Sequence, residues 1–346
     1  MRVQTIGWAI FAGAVACALP GAALAQTGSG SAQQARPAHP APPAHPTRPP
    51  TPETPQTAPA PRVMVLPATR ANPQRTVRLQ GQELRLRDLA ATLIIRPENR
   101  TDISISVVNR GPLPAPEVRS AGRRVTIDGK LRRQIESCRV DGGDFDATLA
   151  RHGRLDSDRL PVIEVRMPQN VVVNGNGALR MHVGRAESAT IRLEGCGEAD
   201  LESVERSVGI AVHGDIGVRA YDVGEASVRV AGDGDVTLGV VREGLAVSIA
   251  GNGDLTAARV DGPTNIAVQG EGDVTIRGGR ATVLSVVIAG AGDVTHNGSA
   301  ETLDAVIVGG GDVRVRRVDG EISRRVFGSG DVVVGRARQT DEAQRN

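Results

Sequence analysis

The residues best placed to do chemistry are six aspartates set at a fixed period. Asp235, Asp254, Asp273, Asp293, Asp312 and Asp331 each close a Gly-x-Gly-Asp tetrad. The two glycines of each tetrad are Gly232 and Gly234, Gly251 and Gly253, Gly270 and Gly272, Gly290 and Gly292, Gly309 and Gly311, and Gly328 and Gly330. The first glycines are 19, 19, 20, 19 and 19 residues apart. Stacked in register, neighbouring carboxylates would lie about 5 Å apart at the backbone. Unit charges at that distance repel by about 1 kcal/mol in water and more at lower dielectric. Two arrangements would offset the repulsion. In one, each carboxylate accepts backbone N–H bonds at its own glycine turn, as Asp does in Asx-turns. In the other, a row of Ca²⁺ ions is held by carboxylate and carbonyl oxygens. Calcium-binding β-roll repeats have a shorter period and a different glycine order. The spacing therefore favours the structural arrangement, and no cofactor is expected.

Other reactive side chains are few. Cys138 and Cys196 are the cysteines left once a leader carrying Cys17 is removed. In an oxidising compartment a disulfide between them is expected; the alternative is two separate buried thiols. His39 and His45 sit in a proline-rich tract, a poor place for a metal site. No G-x-S-x-G, Walker or Rossmann pattern is present. A β-helical polysaccharide lyase or hydrolase would set carboxylates and basic groups in a groove. Lys130 is the only lysine, and no Arg-Lys-Asp cluster stands out. The chain is not expected to be an enzyme. Arg314, Arg316, Arg317, Arg324, Arg325, Arg336 and Arg338 concentrate positive charge near the C-terminus, where an anionic glycan or lipid head group could bind.

Composition narrows the partners. Formal net charge is only +2, which argues against a generally basic nucleic-acid binder. Tyr221, Phe145 and Phe327 are the only aromatics beyond the leader, too few to stack single-stranded bases. Ile6 to Val15 forms an apolar core before the small-residue site Ala23-Leu24-Ala25, which reads as a secretory signal peptide cleaved before Gln26. A lipobox at Ala14-Val15-Ala16-Cys17, lipidated on Cys17, is the rival. No other apolar run reaches the roughly 18 residues of a membrane-spanning helix.

These residues must be positioned by strands. Two before each first glycine stand Val230, Ile249, Val268, Ile288, Ile307 and Val326. Four before stand Val228, Val247, Ile266, Val286, Ala305 and Arg324. One after each Asp stand Val236, Leu255, Val274, Val294, Val313 and Val332; three after stand Leu238, Ala257, Ile276, His296, Val315 and Val334. Small or polar residues alternate with them, so each repeat holds two short strands with one face inward. Gly175-Asn-Gly177 and Gly195-Cys-Gly197 read as early tetrads lacking the Asp. Val212-His-Gly214-Asp215 reads as a degenerate one, with Val212 in the first glycine's place. His296 and Arg324 interrupt the apolar columns; His296 as a catalytic base competes with a satisfied or edge-facing histidine. One repeat cannot bury its own apolar face, but stacking repeats continues every column. The expected fold is all-β, a parallel β-helix or β-solenoid with rungs of about 19 residues, right-handed by the parallel-crossover rule.

The V-x-[IV]-x-G run into G-x-G-D-V resembles the head GIN domain of auto-transporter adhesins, over about residues 160–335. That resemblance implies export, a parallel β-helix and an adhesive role. The polar C-terminal segment lacks the aromatic-girdled strands of a self-exporting barrel, so export by that route is not expected.

The expected organisation is a signal peptide over 1–25, a Pro-rich disordered linker over 26–62 and an irregular β region over 63–165. The solenoid follows over 166–335, and a disordered tail over 336–346. Within 63–165, strands are expected at 63–66, 76–79, 91–95, 103–108, 124–127 and 162–165, as first rungs or as a cap. The function expected is that of a non-enzymatic exported envelope or surface protein, periplasmic, outer-membrane associated or on the cell surface. It would be an adhesin-like scaffold for a glycan or protein component; a β-helical lyase or hydrolase and a structural spacer are the alternatives.

Overall fold

The computed structural model describes residues 62–65, 76–109, 111–141 and 144–337. The signal peptide, the linker before Arg62 and residues 338–346 lie outside the described residues. Every regular element among those described is a strand. The first six are β1 Arg62–Val65, β2 Val77–Gln80, β3 Glu83–Glu98, β4 Asp102–Val108, β5 Glu117–Ala121 and β6 Arg124–Asp128. Next come β7 Ile135–Asp141, β8 Asp144–Leu149 and β9 Gly153–Asp156. Then follow β10 Val162–Pro168, β11 Asn170–Val183, β12 Ala186–Leu201, β13 Val204–Gly232, β14 Val236–Gly251 and β15 Leu255–Gly270. The last are β16 Val274–Ile276, β17 Gly279–Gly290, β18 Val294–Gly309, β19 Val313–Val318, β20 Ile322–Gly328 and β21 Val332–Ala337.

From β11 onward each strand pairs in parallel with the strand one coil later, giving a β-solenoid of about nine turns. The predicted columns face inward. Val228, Val247, Ile266, Val286 and Ala305 stand in one register, Val230, Ile249, Val268, Ile288 and Ile307 in another, and all are buried. Val236, Leu255, Val274, Val294, Val313 and Val332 form a third buried column after the corner.

The glycines turn each corner because nothing larger fits. Gly270 has φ +129°, and a Cβ there would stand 2.2 Å from the Gly251 carbonyl oxygen. A Cβ on Gly272 would stand 2.3 Å from the Gly253 carbonyl oxygen. Coils stack so closely at this corner that both positions exclude side chains.

The early coils differ from the expected register. Gly177, Gly195 and Gly214, not Gly175 and Val212, align as corner glycines. Gly175 points inward, with its added Cβ meeting Leu86, Leu179 and Leu193, and Val212 is buried at 3 % exposure. Asp215 consequently aligns with Cys196, one residue after the corner glycine, and is not part of the aspartate ladder. A period-two strand looks the same after a shift of two residues, so the missing aspartates left this register ambiguous.

Residues 76–168 supply both the start of the solenoid and an added layer. β3 pairs in parallel with β11, β10 and β6, which makes it an initial coil of the same sheet. β2 and β10 flank β4 antiparallel, and β5 joins β1 and β6 antiparallel. β7, β8 and β9 form a separate antiparallel meander. Its Phe145, Ala147, Leu149 and Leu155 share a small core with Leu113, Leu131, Leu160, Ala90 and Ala178. Cys138 of β7 is bonded to Cys196 of β12, with Cα atoms 5.9 Å apart. At the other end β21 reaches Ala337, beyond the expected start of the tail, because Arg336 and Ala337 pair with Arg317 and Val318.

Candidate functional site

The aspartate ladder is committed to holding coils together. Asp254, Asp273, Asp293, Asp312 and Asp331 each donate their backbone N–H to Oδ1 of the Asp one coil earlier, at 2.7–3.0 Å. Each also accepts at its carbonyl the N–H of the residue following that earlier Asp, as Val236 N–H does to Asp254 at 2.8 Å. The bonds run between coils, not within one turn as an Asx-turn would have it. Only Asp331, in the last described coil, turns Oδ1 onto the N–H of its own neighbour, Val332, at 2.8 Å. Arg314 bridges the outer oxygens of Asp293 and Asp312 at 2.9 and 2.6 Å and offsets their repulsion. Among the described residues, no three His, Cys, Asp or Glu side chains converge on a metal-sized point.

His296 lies in the core between Ile276 and Val315 and is fully buried. Its Nδ1 accepts the Gly298 N–H at 3.0 Å, while Nε2 has no protein partner. Burial holds its pKa below the usual histidine value. It is thus neither edge-facing nor fully satisfied, and no carboxylate orients it as a base. Arg324 occupies the register of Ala305 but is exposed in the last coil.

Three of the C-terminal arginines, Arg314, Arg317 and Arg325, are ion-paired. Arg317 binds Asp319 at 2.6 Å and Arg325 binds Asp304 at 3.4 Å, in addition to the Arg314 bridge. Arg316 and Arg324 make no ion pair with a described residue. Arg338 and the Arg336 side chain lie outside the described residues.

Unpaired arginines gather instead at the first coils, where sequence reading had placed no site. Arg85 of β3 lies opposite Asn174 of β11, which lies opposite Arg192 of β12. With Arg87, Arg124 and Arg132 they line an open groove of about 650 Å³. Arg85, Arg87, Arg132 and Arg192 make no ion pair with a described residue. Three carboxylates line the groove; Glu83 and Asp88 are engaged, and Glu194 makes no ion pair with a described residue. Glu83 accepts from Arg124 Nε and from Asn174 Nδ2, both at 3.0 Å. Asp88 accepts from Asn176 Nδ2 at 3.2 Å, and its own N–H donates to Asn176 Oδ1 at 3.0 Å. That double clamp holds Asp88 at φ 44°, a left-handed conformation uncommon outside glycine. Guanidinium forks match carboxylate, sulfate and phosphate groups. With five arginines against three carboxylates, the groove offers anion binding. Its arginines come from three distant stretches of chain, so no local motif announced it.

A second groove, of about 550 Å³, runs beside the disulfide and gathers Glu198, Asp215 and Asp235 with Arg139 and Arg219. Glu198 is buried and ion-paired with Arg219, and Asp235 Oδ1 is taken by Asp254. Asp200, on the adjoining strand position, has its carboxyl pushed up by burial.

The face leading into the corners changes character along the solenoid. In register, its outward triplets are Gly209, Ala211, His213; Ser227, Arg229, Ala231; Ala246, Ser248, Ala250; Asn265, Ala267, Gln269; Ser285, Val287, Ala289; Asp304, Val306, Val308; and Ser323, Arg325, Phe327. Over these seven coils only Arg229, Asp304 and Arg325 are charged with histidine neutral. Val287, Val308 and Phe327 stand 45, 51 and 64 % exposed.

Residues 258–341 match the family model described as "Putative auto-transporter adhesin, head GIN domain". The resemblance read from the tetrads is therefore shown over the later coils. Three solved structures are similar to the chain. A putative lipid binding protein from Parabacteroides distasonis shares 16 % identity over 80 % of this chain and 98 % of its own, with a TM-score of 0.39. A putative adhesin from Parabacteroides merdae shares 15 % over 75 % and 95 %, with a TM-score of 0.40. A putative adhesin from Parabacteroides distasonis shares 14 % over 75 % and 95 %, with a TM-score of 0.38. No curated protein matches the chain. No helix among the described residues is long and apolar enough to cross a membrane.

Proposed function

We propose that this chain is a non-enzymatic, exported envelope or surface protein, an adhesin-like scaffold that captures an anionic glycan in the groove of its first coils. The observation that carries the reading is the set of four arginines, Arg85, Arg87, Arg132 and Arg192, that make no ion pair with a described residue around one groove whose five arginines outnumber its three carboxylates. Like charges gathered on one surface repel, and an anionic ligand relieves that repulsion while filling the guanidinium forks. The family match supports a binding role. The commitment of the repeated aspartates to the coil stack speaks for a scaffold over a catalytic row.

The test is binding of the mature chain to immobilised dextran sulfate, with neutral dextran as control. Saturable binding should weaken with salt, since exposed charges are screened beyond about 8 Å at physiological ionic strength. Arg85→Glu combined with Arg192→Glu should remove it, whereas Arg316→Glu combined with Arg324→Glu should leave most of it. Equal loss from both pairs would reduce the effect to general charge, and turnover of the glycan would revive the lyase alternative.

A further inference from the structure

We infer that the sparsely charged face of the seven later coils is a self-association surface, and that two copies pack on it face to face with their solenoid axes opposed. The inference does not depend on the glycan reading.

The face is self-complementary in size. A two-fold axis lying along the strand through Ala267 reverses the order of coils and keeps position along each strand. Val287 then meets the position of Ser248 on the second copy, Val308 that of Ala231, and Phe327 that of His213 beside Ala211. The exposed valines of the later coils thus fall on small residues of the earlier coils, and the Phe327 ring falls on the His213 imidazole, where two rings can stack. On the axis, Asn265 and Gln269 each face themselves, and a primary amide can donate to and accept from its twin.

The face is also complementary in charge. Arg229 lies two coils before the axis, and Asp304 lies two coils after it. After the rotation Arg229 lies over Val306, two residues along the strand from Asp304. That is about 7 Å, within reach of an arginine side chain. Each such dimer gains two of these pairs. Asp304 is held only by Arg325 at 3.4 Å and is free to be shared.

The area is sufficient. Seven coils at about 4.8 Å and six residues at about 3.3 Å make a plane of about 670 Å². Two such faces total about 1,340 Å², inside the roughly 1,200–2,000 Å² that stable interfaces bury. The arginine groove falls outside the overlap, so the pair would carry two anion sites at opposite ends, a geometry that supports avidity.

Sedimentation equilibrium of the mature chain across the micromolar range tests this. A dimer is expected. Ala267→Arg, which sets like charges on the axis, should make it monomeric without moving the melting temperature at low concentration. Arg229→Asp and Asp304→Arg should each weaken association about tenfold, roughly 1.4 kcal/mol, and the two together should restore it. Ala267→Cys should form a disulfide-linked dimer on mild oxidation. A monomer at every concentration overturns the inference. So does a dimer indifferent to Ala267→Arg, which would place association on another surface. Glycan binding by the monomeric Ala267→Arg variant would leave the proposed function standing, so the two failures are distinguishable.

Discussion

Oδ1 of Asp254 accepts the backbone N–H of Asp273, one coil further along, at 2.8 Å. This bond repeats along the ladder and makes each carboxylate a strut for the next coil. Asp254→Ala should therefore cost about 1–2 kcal/mol, because it orphans the Asp273 N–H. Asp254→Asn keeps an acceptor oxygen and removes a charge from the row, so it should be close to neutral. Asp331→Ala should cost less than Asp254→Ala, since its Oδ1 binds only the adjacent Val332 N–H. Urea denaturation of the three variants gives the order; equal losses would show that the inter-coil bond is not what the aspartates contribute.

The same commitment bears on calcium. With Oδ1 occupied, each interior ladder carboxylate has one oxygen facing outward, and Arg314 takes two of those. Ca²⁺ requires six to eight oxygens. Titration with Ca²⁺ should release no binding heat and leave the melting temperature unchanged. A stoichiometric heat would show that ions sit along the ladder.

Glycines at the first and second tetrad positions should differ sharply in tolerance. Gly270→Ala forces a side chain onto φ +129° with its Cβ 2.2 Å from a backbone oxygen, so the coils must part. The expected cost is above about 3 kcal/mol. Gly310 sits at the variable tetrad position, and its added Cβ would meet only Ser329 Oγ at 3.4 Å. Gly310→Ala should be neutral or mildly stabilising through the unfolded chain. Thermal unfolding of the pair separates them, and comparable melting temperatures would refute the close approach of coils.

How much of this was legible follows from the repeat. Where Gly-x-Gly-Asp is intact, from Gly232 onward, the corner fixes register and the apolar columns fall inward as expected as far as Ile307, while Val326 in the last coil stands 38 % exposed. Before Gly232 no aspartate stands at the ladder position, and a two-residue slip preserves the alternation, so the pattern alone does not separate Gly175 from the true corner Gly177. Strands at 91–95 and 103–108 were legible from β-branched residues. Their partners were not, because β3 pairs with β11 about ninety positions away. The meander β7–β9 was visible only as turn residues and a cysteine. The arginine groove was invisible for the same reason: proximity of Arg85, Arg132 and Arg192 is a product of stacking, not of spacing.

His296 makes the solenoid core sensitive to acid. Its folded pKa is lowered by burial, so in the native state the ring stays neutral while the unfolded chain takes up a proton below its ordinary value of 6.5. Stability from this residue is present above 6.5 and is lost as pH falls toward the lower folded pKa. His296→Leu removes the unpartnered Nε2 but also the acceptor of the Gly298 N–H. At about pH 8 these should nearly cancel. At about pH 5 the variant should be the more stable by on the order of 1 kcal/mol. Melting curves at the two pH values check the sign; a pH-independent difference would mean the histidine is protonated in place.

The Cys138–Cys196 bond closes a separation of 58 residues and ties the meander to the solenoid. In the chain-entropy account such a loop is worth about 4 kcal/mol. The apolar support beneath the meander is thin, because the solenoid offers it mainly Ala90 and Ala178. The bond should therefore matter most locally. In the Cys138→Ala, Cys196→Ala variant, hydrogen exchange should rise across residues 135–156, whose own sheet has three short antiparallel strands. The coils from Val236 to Val334 do not depend on the bridge, since each is held by its neighbours' backbones and buried columns. Their protection should stay as it was. Loss of protection throughout would mean that the meander nucleates the stack, and unchanged protection everywhere would mean that Phe145, Leu149 and Leu155 suffice to hold it.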